Sequence, residues 1–293
     1  MKNKTQQKFN VAVISATVGR TSLHKCIQSV QQQSYPVTHY IYIDGPEYVQ
    51  ASREILKNYP NVNVIVMENN TGAGGYHNSY INARACNEIE ADIFCFLDDD
   101  NFYDSNHIET IVNAFKEEPN TDIAYVNRRF VDKFNTYICD DNSYSLGIFE
   151  QQNEVTLPIK YKGYQQTIKA IINKPFMKLV DTNCMAMSKS YAKRHGSDWS
   201  DKGNDMYVWQ QALARKANLF GTGQCTVNYF IELQSTYGKD FFPRLGKLLG
   251  MEIVTEQDIF ELEKVFLIAV NNTVPKMIGH SLWQTKVKVG YLT

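Results

Sequence analysis

The chain has 293 residues, 43% hydrophobic and 21% charged, which is enough for one large α/β core with an extension. Lys and Arg number 30 against 31 for Asp and Glu, a formal net charge of −1, which excludes a surface built to coat nucleic acid; any anionic ligand must be gripped locally. Cys26, Cys86, Cys95, Cys139, Cys184 and Cys225 are scattered without a CxxC pair, which argues against zinc or a disulfide framework and for a reducing cytoplasm. The start, MKNKTQQKFN, is polar and does not read as a signal peptide, and no apolar run of about 18 residues could span a bilayer.

The pattern predicts a first strand over Val11 to Ala16, then TVGRTSL capping a helix through about Gln33. A second strand, Tyr40 to Ile43, ends in Asp44-Gly45-Pro46 and leads to a helix over about 48–58. Val62 to Met67 is a third strand running into NNTGAGG, followed by a helix over about 76–90 and a fourth strand. Strand and helix alternate four times, which implies a parallel sheet with right-handed crossovers. Ligands of such sheets bind outside the carboxyl ends of the strands. Thr17 to Arg20, Asp44 to Pro46, Asn69 to Gly75 and Asp98 to Asn101 gather there, all polar, glycine-rich or acidic.

The fourth strand reads ADIFCFLDDDN, a buried apolar run ending in Asp98, Asp99 and Asp100. Alternation along an extended backbone would send Asp98 and Asp100 to one side and Asp99 to the other. Paired anions repel unless a cation lies between them, and their hard oxygens suit Mg2+ or Mn2+. The plainer alternative is that the triplet caps a helix starting near Asp104.

Ile123 to Val131 and Thr136 to Cys139 read as antiparallel strands, and Asp140 to Gly163 as a mobile loop or an ordinary surface insertion. KLVDTNCMAM is a strand interrupted by Thr182 and Asn183; Asn183 either faces a site or satisfies backbone. A helix from about Asp205 to Lys216 carries Val208, Trp209, Ala212 and Leu213 on one stripe, with Asp205 placed to cap it. One or two strands over Leu219 to Ile231 precede a tail of amphipathic helices. There Lys239, Arg244 and Lys247 beside Phe241, Phe242, Leu248 and Leu249 leave open a peripheral membrane contact or a homo-oligomer.

These four loops in this order resemble the GT-A glycosyltransferases of family 2 over roughly residues 11–220, and NNTGAGGYHNS followed by FLDDDN is most similar to the galactofuranosyl- and rhamnosyltransferase branch. The resemblance implies an α/β fold with a Rossmann-like, mainly parallel sheet flanked by helices over residues 1–235, and a helical extension over 236–293. It implies that Thr17 and Arg20 flank the base and diphosphate, that Asp44 contacts the base, and that Asn70, Gly72, Gly74 and Gly75 let the chain approach the donor. Asp98 and Asp99 join that donor-binding set, Asp98 and Asp100 hold Mn2+ or Mg2+, and Asp205 is the general base. Trp209 could stack on a sugar or pack in the core. Relatives add a metal-binding His after the base; Gln224 to Leu233 has none, and His280 is distant.

The implied activity is an inverting hexosyl- or pentosyltransferase, with a UDP-sugar favoured over a dTDP-sugar as donor and a glycan or lipid-linked glycan as acceptor. The setting would be cell-surface polysaccharide synthesis in the cytoplasm or at the inner face of the membrane. Three rivals stand beside it. The first is an NAD-dependent oxidoreductase, since Gly72-Ala73-Gly74-Gly75 nearly matches the dinucleotide fingerprint with His77 where its third glycine belongs. The others are a nucleotidyltransferase on a similar sheet and a non-catalytic, cation-dependent carbohydrate-binding protein.

Overall fold

The computed structural model describes residues 8–142, 153–172 and 180–278. By compactness they fall into two units, one of residues 8–128 and 180–228, the other of residues 129–142, 153–172 and 229–278. The boundary expected at residue 235 lies within the second unit.

The chain opens with the alternation its pattern predicts. It runs β1 (Val11–Thr17), α1 (Leu23–Gln31), β2 (Thr38–Ile43), α2 (Val49–Leu56), β3 (Asn63–Val66), α3 (Ser79–Glu88) and β4 (Ile93–Phe96). Then follow β5 (Phe102–Tyr103), α4 (His107–Glu117), β6 (Ile123–Val131), β7 (Tyr137–Asp140), β8 (Asn153–Tyr161) and β9 (Tyr164–Ile172). The remainder is β10 (Met185–Ser188), α5 (Lys189–His195), α6 (Asn204–Ala214), β11 (Leu219–Phe230), α7 (Leu233–Tyr237), α8 (Phe241–Leu248) and α9 (Glu256–Ile278).

Sheet order is β3-β2-β1-β4-β10-β6-β11-β5. The first four strands are parallel, with Ile14 opposite Tyr40 on one side and Phe96 on the other. β10 then pairs antiparallel with both β4 and β6. The chain winds outward from β1 to β3 and returns to place β4 on the other flank of β1, which makes the β1–β4 edge a switch point where a crevice opens at the carboxyl ends.

The local causes are legible. β1 and β4 are buried along nearly their whole length, as strands covered on both faces must be. α1 buries Leu23, Cys26, Ile27 and Val30 at helical spacing, and α4 does the same with Ile108, Ile111, Val112 and Phe115. Phe96 meets the fully buried Trp199 with ring centroids 4.8 Å apart, an aromatic contact of about 1 kcal/mol beyond area burial.

In the second unit, β8 and β9 form an antiparallel hairpin over Asn153–Tyr161 and Tyr164–Ile172. This corrects the loop expected over Asp140 to Gly163 wherever that stretch is described; residues 143–152 lie outside the described residues. Val155, Leu157 and Ile159 alternate inward and join Phe130, Phe242, Leu245, Leu262 and Phe266 in one core. Phe242, Leu245 and Leu249 of the tail are buried there, whereas Leu248 is 64% exposed. Among the described residues no helix is long and apolar enough to cross a membrane.

Candidate active site

The four loops expected at the strand ends are brought together by hydrogen bonds. Thr17, ending β1, is buried and donates from Oγ1 to Asp99 Oδ2 at 2.6 Å, while Gly19 N–H donates back to that hydroxyl at 3.0 Å. Arg20 reaches from the same loop, its Nη1 lying 2.8 Å from Asp99 Oδ1 and 3.3 Å from Asp100 Oδ2.

Asp44, just past β2, is buried and fully engaged. Its Oδ1 accepts from the Thr71 N–H and hydroxyl, each at 2.7 Å, and its Oδ2 from Gly72 N–H at 2.9 Å. Asn70 Oδ1 also accepts from Gly72 N–H at 3.1 Å, and Asn70 Nδ2 donates to Tyr48 Oη at 3.2 Å. A Cβ on Gly72 would sit 2.5 Å from the His77 carbonyl oxygen and 2.8 Å from Asp44 Oδ2. The close approach made by Gly72 is therefore to its own turn and to Asp44. Gly74 at φ +71° and Gly75 at φ +88° supply the left-handed steps that let the turn close, with Gly75 beside the Lys202 side chain.

The aspartate triplet corrects the alternation argument. The strand ends at Phe96, and Asn101 N–H donates to the Asp98 carbonyl at 3.1 Å, so the chain turns instead of continuing extended. Each carboxylate finds different company. Asp98 Oδ1 accepts from Asn78 Nδ2 and Oδ2 from Asn183 Nδ2, both at 2.7 Å. Asp99 is 2% exposed and locked between Thr17 and Arg20, and Asp100 shares that guanidinium with its side chain 32% exposed.

Burial, reinforced by repulsion from Asp100 and Asp181, pushes the Asp98 carboxyl well above the usual range. Burial and repulsion from Asp99 raise Asp100 against the pull of Arg20. One guanidinium serves two carboxylates, Asp99 and Asp100, and Asp98 is held by neutral amides alone. Among the described residues no three His, Cys, Asp or Glu side chains form a ready metal cage; His280 lies outside them.

Asp205 stands in the first turn of α6, whose cap position is Gly203 with no side-chain cap. Its Oδ1 accepts from Met206 N–H at 2.7 Å, and its Oδ2 reaches away from the helix to Thr182 N–H at 3.2 Å. Burial, then repulsion from Asp181, lifts its pKa to about 7. Thr182 opens the 3-10 turn Thr182–Cys184, which Asp181 caps by accepting from Asn183 N–H at 3.0 Å while pairing with Arg128.

Asn183, left open from sequence, does two jobs in this turn: its Oδ1 accepts from Asp98 N–H at 2.7 Å and its Nδ2 donates to Asp98 and Asp181. Trp209 is 6% exposed and edge-on to Tyr125, with centroids 5.5 Å apart, in a core position. Sequence reasoning gave no role to Asn78, Arg128, Asp181 or Asn204. The signal available was the run of polar residues in DTN and GND, where a buried strand and a helix start needed none so expensive to bury.

An open α/β sheet with acidic and glycine-rich loops at its switch point is the architecture of the GT-A glycosyltransferases. The family model for Glycosyl transferase family 2 matches residues 12–191. The chain belongs to that family and is a glycosyltransferase. Among solved structures it is similar to S. aureus TarS 1-349 in complex with UDP, with TM-score 0.50 and 16% identity over 90% of this chain and 70% of that one. Against the same protein in complex with UDP-GlcNAc the TM-score is 0.49 at 15% identity, over 92% and 73%. At such identity the likeness is one of fold. No curated protein matches the chain.

Proposed function

We propose that the protein moves a sugar from a nucleotide-sugar donor to a hydroxyl of a glycan or lipid-linked glycan, with inversion, and with Mn2+ or Mg2+ at the donor diphosphate. The observation that carries this is the union, in one hydrogen-bonded network at the sheet's switch point, of an under-compensated aspartate triplet with a separate buried carboxylate, Asp205. The donor set fits the ion: hard carboxylate oxygens, a single shared guanidinium, and an Asp98 facing only amides. Asp98 and Asp100 would hold it, with diphosphate oxygens and water completing the shell in the manner Mg2+ favours. When bound, it supplies Lewis-acid compensation for the charge left on the departing diphosphate.

Thr17, Arg20, Asp44, Asn70, Gly72, Gly74, Gly75 and Asp99 shape the donor side of the crevice. The acceptor oxygen attacks the anomeric carbon, and the bond from that carbon to the phosphate oxygen breaks with its electron pair leaving on the diphosphate. The acceptor's proton passes to Asp205, whose carboxylate is oriented by Thr182 N–H and Met206 N–H. A base with a pKa of about 7 is matched to transfer near neutrality. TarS crystallised with UDP, so UDP-sugars lead the donor panel. The NNTGAGG and FLDDDN segments favour the galactofuranosyl- and rhamnosyl-type branch, and with it a cell-surface polysaccharide as acceptor.

The test is a thermal-shift screen of UDP-, dTDP-, GDP- and CDP-sugars with and without Mn2+, followed by assay of nucleotide release. A true donor at 100 times its dissociation constant adds about 2.7 kcal/mol of stability. Stabilisation by no nucleotide sugar, with no nucleotide released, ends the proposal.

A further inference from the structure

Resting on this reading of Asp98 and Asp205, we infer that Asn78, Asn183 and Asn204 are positioning residues that tie the donor carboxylate to the base through a ring of four hydrogen bonds closed by two backbone links. The ring can be followed atom by atom. Asn78 Nδ2 donates to Asp98 Oδ1 at 2.7 Å, and Asn204 Nδ2 donates to Asn78 Oδ1 at 2.9 Å. Asn204 is followed directly by Asp205, whose Oδ2 accepts from Thr182 N–H at 3.2 Å. Thr182 is followed by Asn183, whose Nδ2 returns to Asp98 Oδ2 at 2.7 Å. Both oxygens of Asp98 and both flanks of Asp205 are thereby fixed to each other.

Asparagine is the residue type this arrangement requires. An amide donates and accepts at once, so it relays between a carboxylate and another polar group without adding charge to a site already crowded with anions. A second and independent feature points the same way. Asn204 sits at φ +48°, a left-handed conformation that few side-chain-bearing residues other than asparagine adopt and that glycine adopts freely. Its Oδ1 is buried without a partner, and its Nδ2 is spent on the bond to Asn78, so the side chain serves the relay and not a local cap. Ser79 Oγ donates to the Asp201 carbonyl at 3.3 Å, holding the loop before α6 against the start of α3. A ligand that draws on the Asp98 carboxylate moves two amides together, and both lead to Asp205.

The alternative is that the three amides merely satisfy buried polar atoms. Asn204→Gly separates the two, because glycine keeps the left-handed backbone and deletes only the amide. Calorimetry with UDP and Mn2+ gives binding, and turnover with the donor selected by the screen gives catalysis, each per folded molecule. Expected for Asn204→Gly are UDP affinity within twofold of wild type and turnover about tenfold lower. Asn78→Ala should weaken both. The double variant should turn over no more slowly than Asn78→Ala alone, a non-additivity of tenfold or about 1.4 kcal/mol. Losses that multiply, or a single variant Asn204→Gly with turnover within twofold of wild type, overturn the coupling; if Asn78→Ala fails to fold, Asn204→Gly alone decides. The outcomes also separate this inference from the reading beneath it. Full turnover in Asp205→Asn removes the base and the ring's purpose together, whereas an inactive Asp205→Asn beside a fully active Asn204→Gly removes only the coupling.

Discussion

At the scale of single residues, the site is defined by how four carboxylates are held. Asp99 has its oxygens committed to Thr17 and Arg20, and Asp100 keeps a solvent-facing side chain and only a shared, longer contact at 3.3 Å. Losing Asp100 should therefore remove the proposed cation ligand without unstitching the loop. Asp100→Ala is expected to weaken UDP binding at least tenfold in Mn2+ and to change it little in EDTA; equal affinity for wild type and variant in Mn2+ would release Asp100 from that role. Asp205 has the converse property, since it touches no donor group in this scheme. Asp205→Asn should cost at least about 100-fold in turnover, the usual worth of a positioned base, while UDP affinity stays within twofold. The sign of the pH dependence follows from its raised pKa. Below about pH 7 Asp205 is protonated and cannot accept a proton, so kcat/KM should fall tenfold per unit as pH drops and level off above 7. A flat profile from pH 6 to 8 would contradict it. The triplet itself was legible in the sequence because three anions after a buried strand have few other uses. Its geometry was not, because period-two alternation holds only while the chain stays extended, and here it turns after Leu97.

At the scale of elements, the strand–helix alternation from β1 to β4 could be read directly, since continuous apolar strands and 3.6-residue stripes are strong signals. Several elements escaped, β8 and the turn Thr182–Cys184 among them. β8 carries Val155, Leu157 and Ile159 at every second position, but Glu154, Pro158 and Lys160 between them make NEVTLPIKY look like a polar loop. The turn Thr182–Cys184 interrupts what reads as one strand, and it is the turn that delivers Asn183 to Asp98 and Thr182 to Asp205. The glycine-rich turn has a steric requirement of its own, separate from the donor approach that the resemblance implies, and it predicts a clear result. Gly72 has an ordinary φ of −80°, so its need for glycine is steric: a methyl group would meet a backbone carbonyl and the Asp44 carboxylate. Gly72→Ala should push Thr71 and Gly72 away from Asp44, costing about 1–3 kcal/mol by the usual scale of overpacking and weakening UDP binding in step. Gly74→Ala is the control. Its Cβ meets nothing within 4 Å, so it pays only for a left-handed alanine and leaves the turn in contact with Asp44. Denaturant unfolding that ranks Gly74→Ala as the more damaging change would refute the steric account.

At the scale of the whole molecule, the sheet that positions the site also buries two histidines that the proposed chemistry does not use. His39 Nε2 pairs with Ser15 Oγ at 3.0 Å, and His107 Nδ1 pairs with Thr226 Oγ1 at 2.8 Å while its ring stacks on Tyr103 at 3.6 Å. Burial lowers both to about pKa 3, so both are neutral in the folded chain throughout the physiological range. In the unfolded chain each binds a proton near pH 6.5. Between pH 6.5 and 3 the unfolded state therefore holds more protons than the folded one, and each histidine lowers stability as the solution is acidified. From pH 6.5 to 5 the shift amounts to about 2 kcal/mol per histidine at 1.36 kcal/mol per unit. Asp98 and Asp205 run in the opposite direction, because their raised folded pKa values make the folded state the better proton acceptor between pH 4 and their own titration. Bulk acid sensitivity thus mixes two opposed contributions, and a variant is needed to isolate one. His107→Gln can keep a hydrogen bond to Thr226 without a titrating ring. Its stability, measured by urea unfolding, should be lower than wild type at pH 7 because the stacking on Tyr103 is gone, yet the gap should narrow by about 2 kcal/mol on going to pH 5. A gap that stays constant between the two pH values would mean that His107 takes up its proton as readily in the folded chain as in the unfolded one, and would refute its burial as a neutral ring.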